Sequence, residues 1–336
     1  MTAGESALYD KFMSLCLQGR CADALEVARR INLATLSPNL RKRVDLFIQR
    51  FSSSYRLKNH RDPIRNLISF YEVYWHEALL ERGDHRKLNQ KLVSHICRWL
   101  HDVRGVRIKS RAADTVETRL KQEIEAMGYF CIIGTVGHLR ELEIWRKQRT
   151  VVKSVTLPET KERVRVFLMS DFLTKGWMAY ASMGRFYPGG WAKQEGLYCN
   201  THAYKLESEK FLVSYLVHEA QHFADYKKFP KLGQADLEYR AKLAEFALSR
   251  KTGKEMYRVF ASRADYNKKS PHAFSYHCVV RDLAKEITGD ENFMGLARQP
   301  HLLKPKRLNQ AARTLMARHS LALRARGGKR VRSLIK

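Results

Sequence analysis

The spacing of apolar residues predicts that the first third of the chain is helical. Apolar side chains recur at three- and four-residue intervals in four segments, at 40–51, 64–79, 88–100 and 116–127. The dipeptides Ser37-Pro38 and Asp62-Pro63 stand before the first two segments, where they combine a capping side chain with a proline at the first helical position. No repeat of fixed period is present. Residues 1–125 are therefore predicted to form a helical bundle or an irregular array of helical hairpins.

The pattern changes near residue 128 to one that is typical of strands. The segments with apolar runs or alternation are Tyr129–Val136, Thr150–Leu157, Arg163–Met169, Trp177–Ser182 and Gly196–Tyr204. A turn at Pro188-Gly189-Gly190 separates the last two. Helical periodicity returns at about 207–226, 235–250 and 273–287. This order predicts a small sheet of three to five strands, followed by helices.

The charge of the chain changes this picture at its C-terminal end. Lys and Arg number 62 against 34 Asp and Glu, which gives a net charge of +28. Residues 298–336 contain twelve Lys or Arg and no Asp or Glu, and Leu308, Ala312 and Leu315 mark one amphipathic helix within them. Such a segment attracts polyanions. Nucleic acid is the first expected partner and an anionic membrane surface the second; a solvated terminus without a partner is the third alternative.

Other features of composition predict a cytoplasmic protein. No apolar run approaches the roughly 20 residues that a transmembrane helix needs. The first twelve residues, MTAGESALYDKF, lack the apolar core of a signal peptide. The six cysteines are scattered without a C-x-x-C pair, so we expect reduced thiols that fill the core.

The candidate chemistry lies in His218-Glu219-Ala220-Gln221-His222, within the first of the later helices. Residues four apart on a helix lie on one face, so His218 and His222 can direct two imidazoles at one metal ion. Glu219 lies beside them, where its carboxylate can act on a metal-bound water. The residues around the motif are uncharged from Leu216 to Ala224 apart from the motif itself, as expected for a buried helix. The alternative is a pair of histidines on a partly buried aromatic stripe.

A catalytic zinc site has three protein ligands and an open position, so a third ligand is needed. The first candidate is Glu238, near the start of the next helix, and Pro230 and Gly233 allow the chain to turn back before it. Glu245, two turns further on the same face, is the second candidate. Asp225 and Asp236 are weaker ones. An ordinary first-turn glutamate, favoured by the helix dipole, is the alternative for Glu238.

The motif His218-Glu219-x-x-His222 followed by Glu238-x-x-Ala241 resembles the gluzincin type of zinc metallopeptidase. The resemblance covers about residues 150–250 and is strongest over 211–246. It implies Zn²⁺ held by His218, His222 and Glu238, with Glu219 as general base. It also implies an upstream edge strand that binds a peptide substrate in extended form, near Trp177–Ser182 or Gly196–Asn200.

Two departures from the gluzincin pattern leave parts of the site open. The interval from His222 to Glu238 is shorter than in many gluzincins, which keeps Glu245 as an alternative ligand. Lys242 stands where an acidic residue often orients a ligand histidine.

A hydrolase of this type also needs a donor that stabilises the developing oxyanion. We assign this catalytic role to His272 and Tyr276, with His277 and Tyr239 as further candidates. For each of them, an ordinary surface or core position is the alternative.

The prediction from the sequence is therefore an α+β protein, in which a helical N-terminal region precedes a zincin-like domain. The predicted domains are 1–125, helical; 126–297, zincin-like, with a small mixed sheet, the active-site helix and the following helices; and 298–336, a basic extension. The expected function is zinc-dependent hydrolysis of peptide or protein substrates. The alternatives are a nucleic-acid or anionic-surface binding protein with a structural or inactive zincin domain, and a helical scaffold whose residues 1–125 recruit a partner.

Overall fold

The computed structural model describes residues 3–55, 57, 60–81, 83–110, 112–267 and 270–335. The chain divides into two compact units: unit 1 comprises residues 1–148 and 170–188, and unit 2 comprises residues 149–169 and 189–336. The boundaries expected at 125/126 and 297/298 stay predictions. Within the described part of the chain, we find no helix whose length and apolar character would let it span a membrane.

Unit 1 is mainly helical, as the apolar periodicity predicts. Its helices are α1 (Ala3–Leu17), α2 (Cys21–Arg29), α3 (Pro38–Ser52), α4 (Pro63–Leu79), α5 (His85–Arg104), α6 (Ala113–Ala126) and α7 (Gly176–Ala181). Asp62 caps α4, since its carboxylate accepts a hydrogen bond from the backbone N–H of Ile64 at 2.8 Å. The apolar faces of these helices share one core with the adjoining strands, in which Phe47, Tyr71 and Leu100 are fully buried.

The strands form one mixed five-stranded sheet in the order β1-β2-β3-β5-β4. They are β1 (Phe130–Val136), β2 (Leu139–Thr156), β3 (Lys161–Lys175), β4 (Gly190–Lys193) and β5 (Gly196–Asn200). In unit 1, β1 pairs antiparallel with the first part of β2. In unit 2, β3 pairs parallel with β5, and β5 pairs antiparallel with β4. The mixed α+β class and the small sheet before the motif helix are thus confirmed, and β4 is an edge strand.

The strand predicted at Trp177–Ser182 is wrong, because α7 occupies this segment. The carboxylate of Glu141 accepts a hydrogen bond from the backbone N–H of Trp177 at 3.1 Å, at the first turn of the helix. Trp177, Tyr180 and Ala181 are buried at helical spacing in the core of unit 1. The strand predicted over Gly196–Tyr204 ends at Asn200. A side chain at Gly190, where β4 begins, would collide with the carbonyl oxygen of Tyr198 on the neighbouring strand.

Unit 2 contains the motif helix and the helices that pack against it. They are α8 (Glu209–Phe211), a π-helical segment (Leu212–Val217), α9 (His218–Lys228), α10 (Gln234–Leu248), α11 (Gly253–Arg263), α12 (Pro271–Thr288), α13 (Phe293–Ala297) and α14 (Pro305–Ala325). Helix α10 is central, since it contacts α9, α12 and α14. All its residues from Asp236 to Ala247 are buried.

The basic C-terminal segment belongs to the fold of unit 2. Leu308, Ala312 and Met316 on α14 are fully buried in its core. Beyond α14, residues 331–335 lie along the start of α10, where the backbone N–H of Gly233 donates a 2.6 Å hydrogen bond to the carbonyl of Arg332. The described residues of this segment thus pack against unit 2, while the three alternatives for its partner stay predictions.

Candidate metal centre

The motif helix is continuous from α8 through the π-helical segment into α9. The carboxylate of Glu209 anchors its start by accepting backbone hydrogen bonds from Arg250, Lys251 and Thr252 at 2.8–3.0 Å. Wider π-helical turns inside helices occur frequently at functional sites. Here the π-helical segment ends at Val217, directly before His218.

His218 and His222 direct their imidazoles at the same point. Their Nε2 atoms are 3.1 Å apart, and the two rings lie at 84° to each other. His222 is buried, and His218 is partly buried at the edge of a cavity. The helical spacing of four residues thus produces the convergence that the sequence predicts.

Glu238 on α10 completes the cluster. Its Oε1 lies 3.4 Å from Nε2 of His222, and its Oε2 lies 3.7 Å from Nε2 of His218. One ligand atom from each of the three residues lies within 4.8 Å of the other two. Burial alone would raise the pKa of Glu238, but the charge of Lys242 and hydrogen bonds from His222 and His272 hold it well below its usual range.

Glu245 contacts the same histidine from the opposite side of the ring. Nδ1 of His218 donates a 2.7 Å hydrogen bond to Oε1 of Glu245. Because a carboxylate can only accept, this bond leaves the lone pair of His218 on Nε2, which faces the cluster. Burial lowers the pKa of His218, but the hydrogen bond and the charge of Glu245 outweigh it, and the pKa is raised. Glu245 therefore contacts the Nδ1 side of the ring, whereas Glu238 lies on the Nε2 side, within the cluster that could hold a metal ion.

The two weaker ligand candidates are engaged away from the cluster. The Oδ2 atom of Asp225 accepts a 2.9 Å hydrogen bond from Nε of Arg240. Asp236 accepts hydrogen bonds from Ser333 and from the backbone N–H groups of Leu334 and Ile335, at 2.9–3.1 Å.

Glu219, the expected general base, follows His218 directly on α9. It is partly buried and makes no hydrogen bond or ion pair with any residue that the structure describes. After burial, which is the larger cause, the charges of Glu219 and Glu238 raise the pKa of Tyr226. Tyr226 lies one helical turn beyond His222, and its ring stacks on that of His222 at 6.2 Å.

A cavity of about 770 Å³ opens beside the cluster. The residues that line it and bear on the chemistry are His218, Glu238, Lys242, Glu245, His272 and Tyr276. Nδ1 of His272 lies 3.1 Å from Oε2 of Glu238, and the His272 side chain is 65% exposed. The ring of Tyr276 packs on Phe260 with centroids 4.6 Å apart.

The other two oxyanion candidates point elsewhere. The hydroxyl of Tyr239 donates to Asp282 at 2.8 Å. The ring of His277 packs between Tyr266 and Phe293. Of the four candidates, His272 and Tyr276 are the ones that reach the cavity.

Lys242 is a component of the site that sequence reasoning noted only as a departure from a pattern. Its ammonium forms a salt bridge with Oε2 of Glu238 and lies 4.6 Å above the ring of Tyr276. Gln234 was not foreseen at all, and its Nε2 donates to Oε1 of Glu238 at 3.2 Å. The spacing of four residues on either side of Glu238 is the signal that could have identified both.

Comparisons of the chain with protein-family models, with curated protein sequences and with solved structures find no match in any of the three. The resemblance to gluzincins therefore rests on the residues of the motif. The structure shows a mixed α+β protein with a His, His, Glu cluster that could bind a metal ion.

Proposed function

We propose that the chain is a zinc-dependent hydrolase that cleaves peptide bonds, with its site in unit 2. The observation that carries the proposal is that one donor atom each from His218, His222 and Glu238 lies within 4.8 Å of the other two. The two Nε2 atoms are 3.1 Å apart, Oε1 of Glu238 lies 3.4 Å from His222, and its Oε2 lies 3.7 Å from His218. In a tetrahedral zinc site with bonds of about 2.0–2.1 Å, donor atoms lie about 3.4 Å apart. Two imidazoles and one carboxylate are also a donor set of catalytic zinc sites.

The surroundings of the three residues support the fit. Two Nε2 atoms that lie 3.1 Å apart need a proton or a cation between them, since two bare lone pairs at this distance would repel. Glu245 fixes the ring of His218 in the manner of the carboxylate–histidine pairs that support metal ligands. A bound Zn²⁺ would supply an acidified water and would polarise a substrate carbonyl.

Within this proposal, the residues of the chain divide the remaining tasks. Glu219 takes up the proton of the attacking water at its free carboxylate. His272 and Tyr276 line the cavity where a substrate carbonyl would lie. The edge strand β4 packs with β5 against α9, so we assign the binding of an extended peptide to β4. This assignment replaces the two segments expected from the sequence, because α7 occupies the segment Trp177–Ser182 and Gly196–Asn200 forms β5, which lies inside the sheet.

The direct test measures zinc in the purified chain and its dependence on the ligands. We expect one zinc per chain by elemental analysis, and its loss in a His218→Ala, His222→Ala double variant. His277→Ala is the matched control, because this histidine lies in the same unit but packs on aromatic rings away from the cluster. A chain that never takes up zinc, or a double variant that keeps it, contradicts the proposal.

The catalytic part is tested with a variant that keeps the metal. Glu219→Gln should retain zinc and lose hydrolysis of a fluorogenic peptide library by roughly 10²–10⁴-fold, the usual contribution of a general base. Equal cleavage by Glu219→Gln and the unmodified chain would remove Glu219 from this role.

A second candidate function, nucleic-acid binding, is favoured by the ordered cationic surface at the C-terminus. We propose that this surface is formed by the exposed side chains of Arg324, Arg326, Lys329, Arg330 and Arg332. None of these five forms a salt bridge within the described part of the chain. Docking of residues 331–335 along α10 holds the charges on a folded surface, so they can contact a phosphate backbone without first being ordered.

The test is the salt dependence of binding to duplex and single-stranded oligonucleotides. Replacing the five residues by Gln should reduce the magnitude of the negative slope of log K against log salt, where K is the association constant, by up to about 4–5. Truncation at residue 301 is unsuitable, because it would remove the buried face of α14. Glu219→Gln should leave this binding unchanged. If only vesicles with anionic lipids bind, the surface belongs to a membrane interaction instead.

A further inference from the structure

Lys242 is a charged side chain that the proposed mechanism has not used. It is 2% exposed, and Glu238, its partner in a salt bridge, is 4% exposed. A buried ammonium is costly unless a counter-charge neutralises it. Lys242 also lines the cavity beside the cluster, so it is buried from bulk water but faces the space that a substrate would enter.

The charges around the cluster show what Lys242 contributes. The carboxylates of Glu219, Glu238 and Glu245 all act electrostatically on His218 and bring three negative charges to its surroundings, and Lys242 brings one positive charge. With neutral imidazoles, a divalent cation would bring this group to zero charge. Without Lys242 the same group would be left one charge negative, which would bind the cation more strongly.

The position of Lys242 also differs from those of the other oxyanion candidates. The ammonium of Lys242 lies 4.6 Å from the centre of the Tyr276 ring, so this contact holds the lysine side chain in place at the cavity. The side chain of His272 is 65% exposed. Lys242 is therefore the cation of the cavity wall that is both buried and fixed. Electrostatic stabilisation is strongest from groups that are held in place away from water.

We propose that Lys242 is the electrostatic catalytic residue of this site, which stabilises negative charge on the substrate and moderates the affinity for the metal. The proposal rests on the proposed hydrolase function. It predicts two effects of Lys242→Met with opposite signs: tighter metal binding and slower catalysis. A residue that only supported the fold would weaken both.

The experiment compares Lys242→Met and Lys242→Arg with Lys285→Met. Lys285 is the matched control, since it pairs with Glu291 in an exposed salt bridge on α12. Zinc affinity is measured by competition with a chromophoric chelator. The rate is measured with a peptide from the library. All variants are handled in excess zinc, so that Glu238 keeps a positive partner, and their folding is checked by circular dichroism.

For Lys242→Met we expect zinc affinity to rise by about 10-fold or more, because a positive charge near the cation is removed. We expect kcat to fall by about 100-fold with little change in KM. Lys242→Arg keeps the charge and should lie between Lys242→Met and the unmodified chain on both scales. Lys285→Met should match the unmodified chain.

The outcomes separate this inference from the proposed function. If the unmodified chain binds zinc and cleaves peptides but Lys242→Met behaves as Lys285→Met does, the role of Lys242 is refuted and the hydrolase stands. A fall in zinc affinity for Lys242→Met likewise refutes it, because the lysine would then support the ligand. If the unmodified chain binds no zinc, both proposals fail. If Lys242→Met does not fold, Lys242→Arg decides. A kcat and a zinc affinity of Lys242→Arg that both equal those of the unmodified chain would refute the role.

Discussion

The hydrogen bond between His218 and Glu245 allows a quantitative prediction about the metal centre. Nδ1 of His218 and Oε1 of Glu245 are 2.7 Å apart, and the Glu245 side chain is 5% exposed. Glu245→Gln keeps an acceptor of nearly the same shape and removes the negative charge. The amide oxygen can still fix the orientation of the ring, but it no longer increases the basicity of Nε2.

The size of the effect follows from the strength of such a bond. A charge-assisted hydrogen bond is roughly twice as strong as a neutral one, and loss of a carboxylate partner of a ligand histidine typically lowers metal affinity 10–100-fold. Glu245→Gln should therefore raise the zinc dissociation constant by about 10-fold, and Glu245→Ala by about 100-fold because the ring also loses its orientation. These factors correspond to about 1.4 and 2.7 kcal/mol.

The assay is competition for zinc against a chromophoric chelator at constant pH. Glu286→Gln is the matched control, because Glu286 is a partly exposed carboxylate in a salt bridge with Arg318. Its zinc affinity should equal that of the unmodified chain. Equal affinity for Glu245→Gln, Glu245→Ala and Glu286→Gln would show that Glu245 does not orient the ligand, and would refute the reasoning.

Three further predictions concern stability. Burial raises the pKa of Glu141 to about 7, although two backbone hydrogen bonds lower it. Its contribution to stability is therefore fully present below about pH 4.5 and is lost as the pH rises through 7. Relative to Glu141→Gln, the free energy of unfolding of the unmodified chain, measured by urea titration, should be about 3 kcal/mol lower at pH 8.5 than at pH 4. Arg240→Ala leaves the buried carboxylate of Asp225 without its salt bridge and should lower the free energy of unfolding in urea by about 3–5 kcal/mol. Arg318→Ala, at an exposed pair, should lower it by at most about 1 kcal/mol. Equal effects of the two variants would contradict the prediction for Arg240. Zinc at 1,000 times its dissociation constant should stabilise unit 2 by about 4 kcal/mol, as followed by thermal unfolding, and chelation or loss of the ligand histidines should remove this gain.

The motif helix and the fold class could be predicted from the sequence because local spacing determines them. The four-residue spacing of His218 and His222 sets the convergence of the two rings once the segment is helical. The strand assigned to Trp177–Ser182 failed for a nonlocal reason. Its apolar and aromatic residues suit a strand, but the carboxylate of Glu141, 36 residues earlier, receives the backbone N–H of Trp177 and stabilises a helical turn.

The roles of the polar residues on α10 could not be predicted from periodicity, because this helix is buried on every side. Its residues from Asp236 to Ala247 are all buried, so no solvent-facing stripe distinguishes one face from another. Only the partners supplied by other helices reveal which polar residue serves which purpose. Thus the sequence places Glu238 before Glu245 but leaves both open as the third ligand, and in the structure they differ by which nitrogen of His218 each one contacts.

The polar residues of α10 in fact form two stripes with different partners. Glu238 and Lys242, four residues apart, face the cluster and its cavity. Arg240 faces the opposite side and binds Asp225, which lies three residues after His222 on α9. This buried salt bridge joins α9 and α10 beside His222 and Glu238, which come from these two helices. We therefore expect it to help hold the 3.4 Å separation of His222 and Glu238. Arg240→Ala should consequently weaken zinc binding as well as stability, although Arg240 lies outside the cavity. A stable Arg240→Ala variant with unchanged zinc affinity would show that the packing of α10 alone sets the geometry of the site.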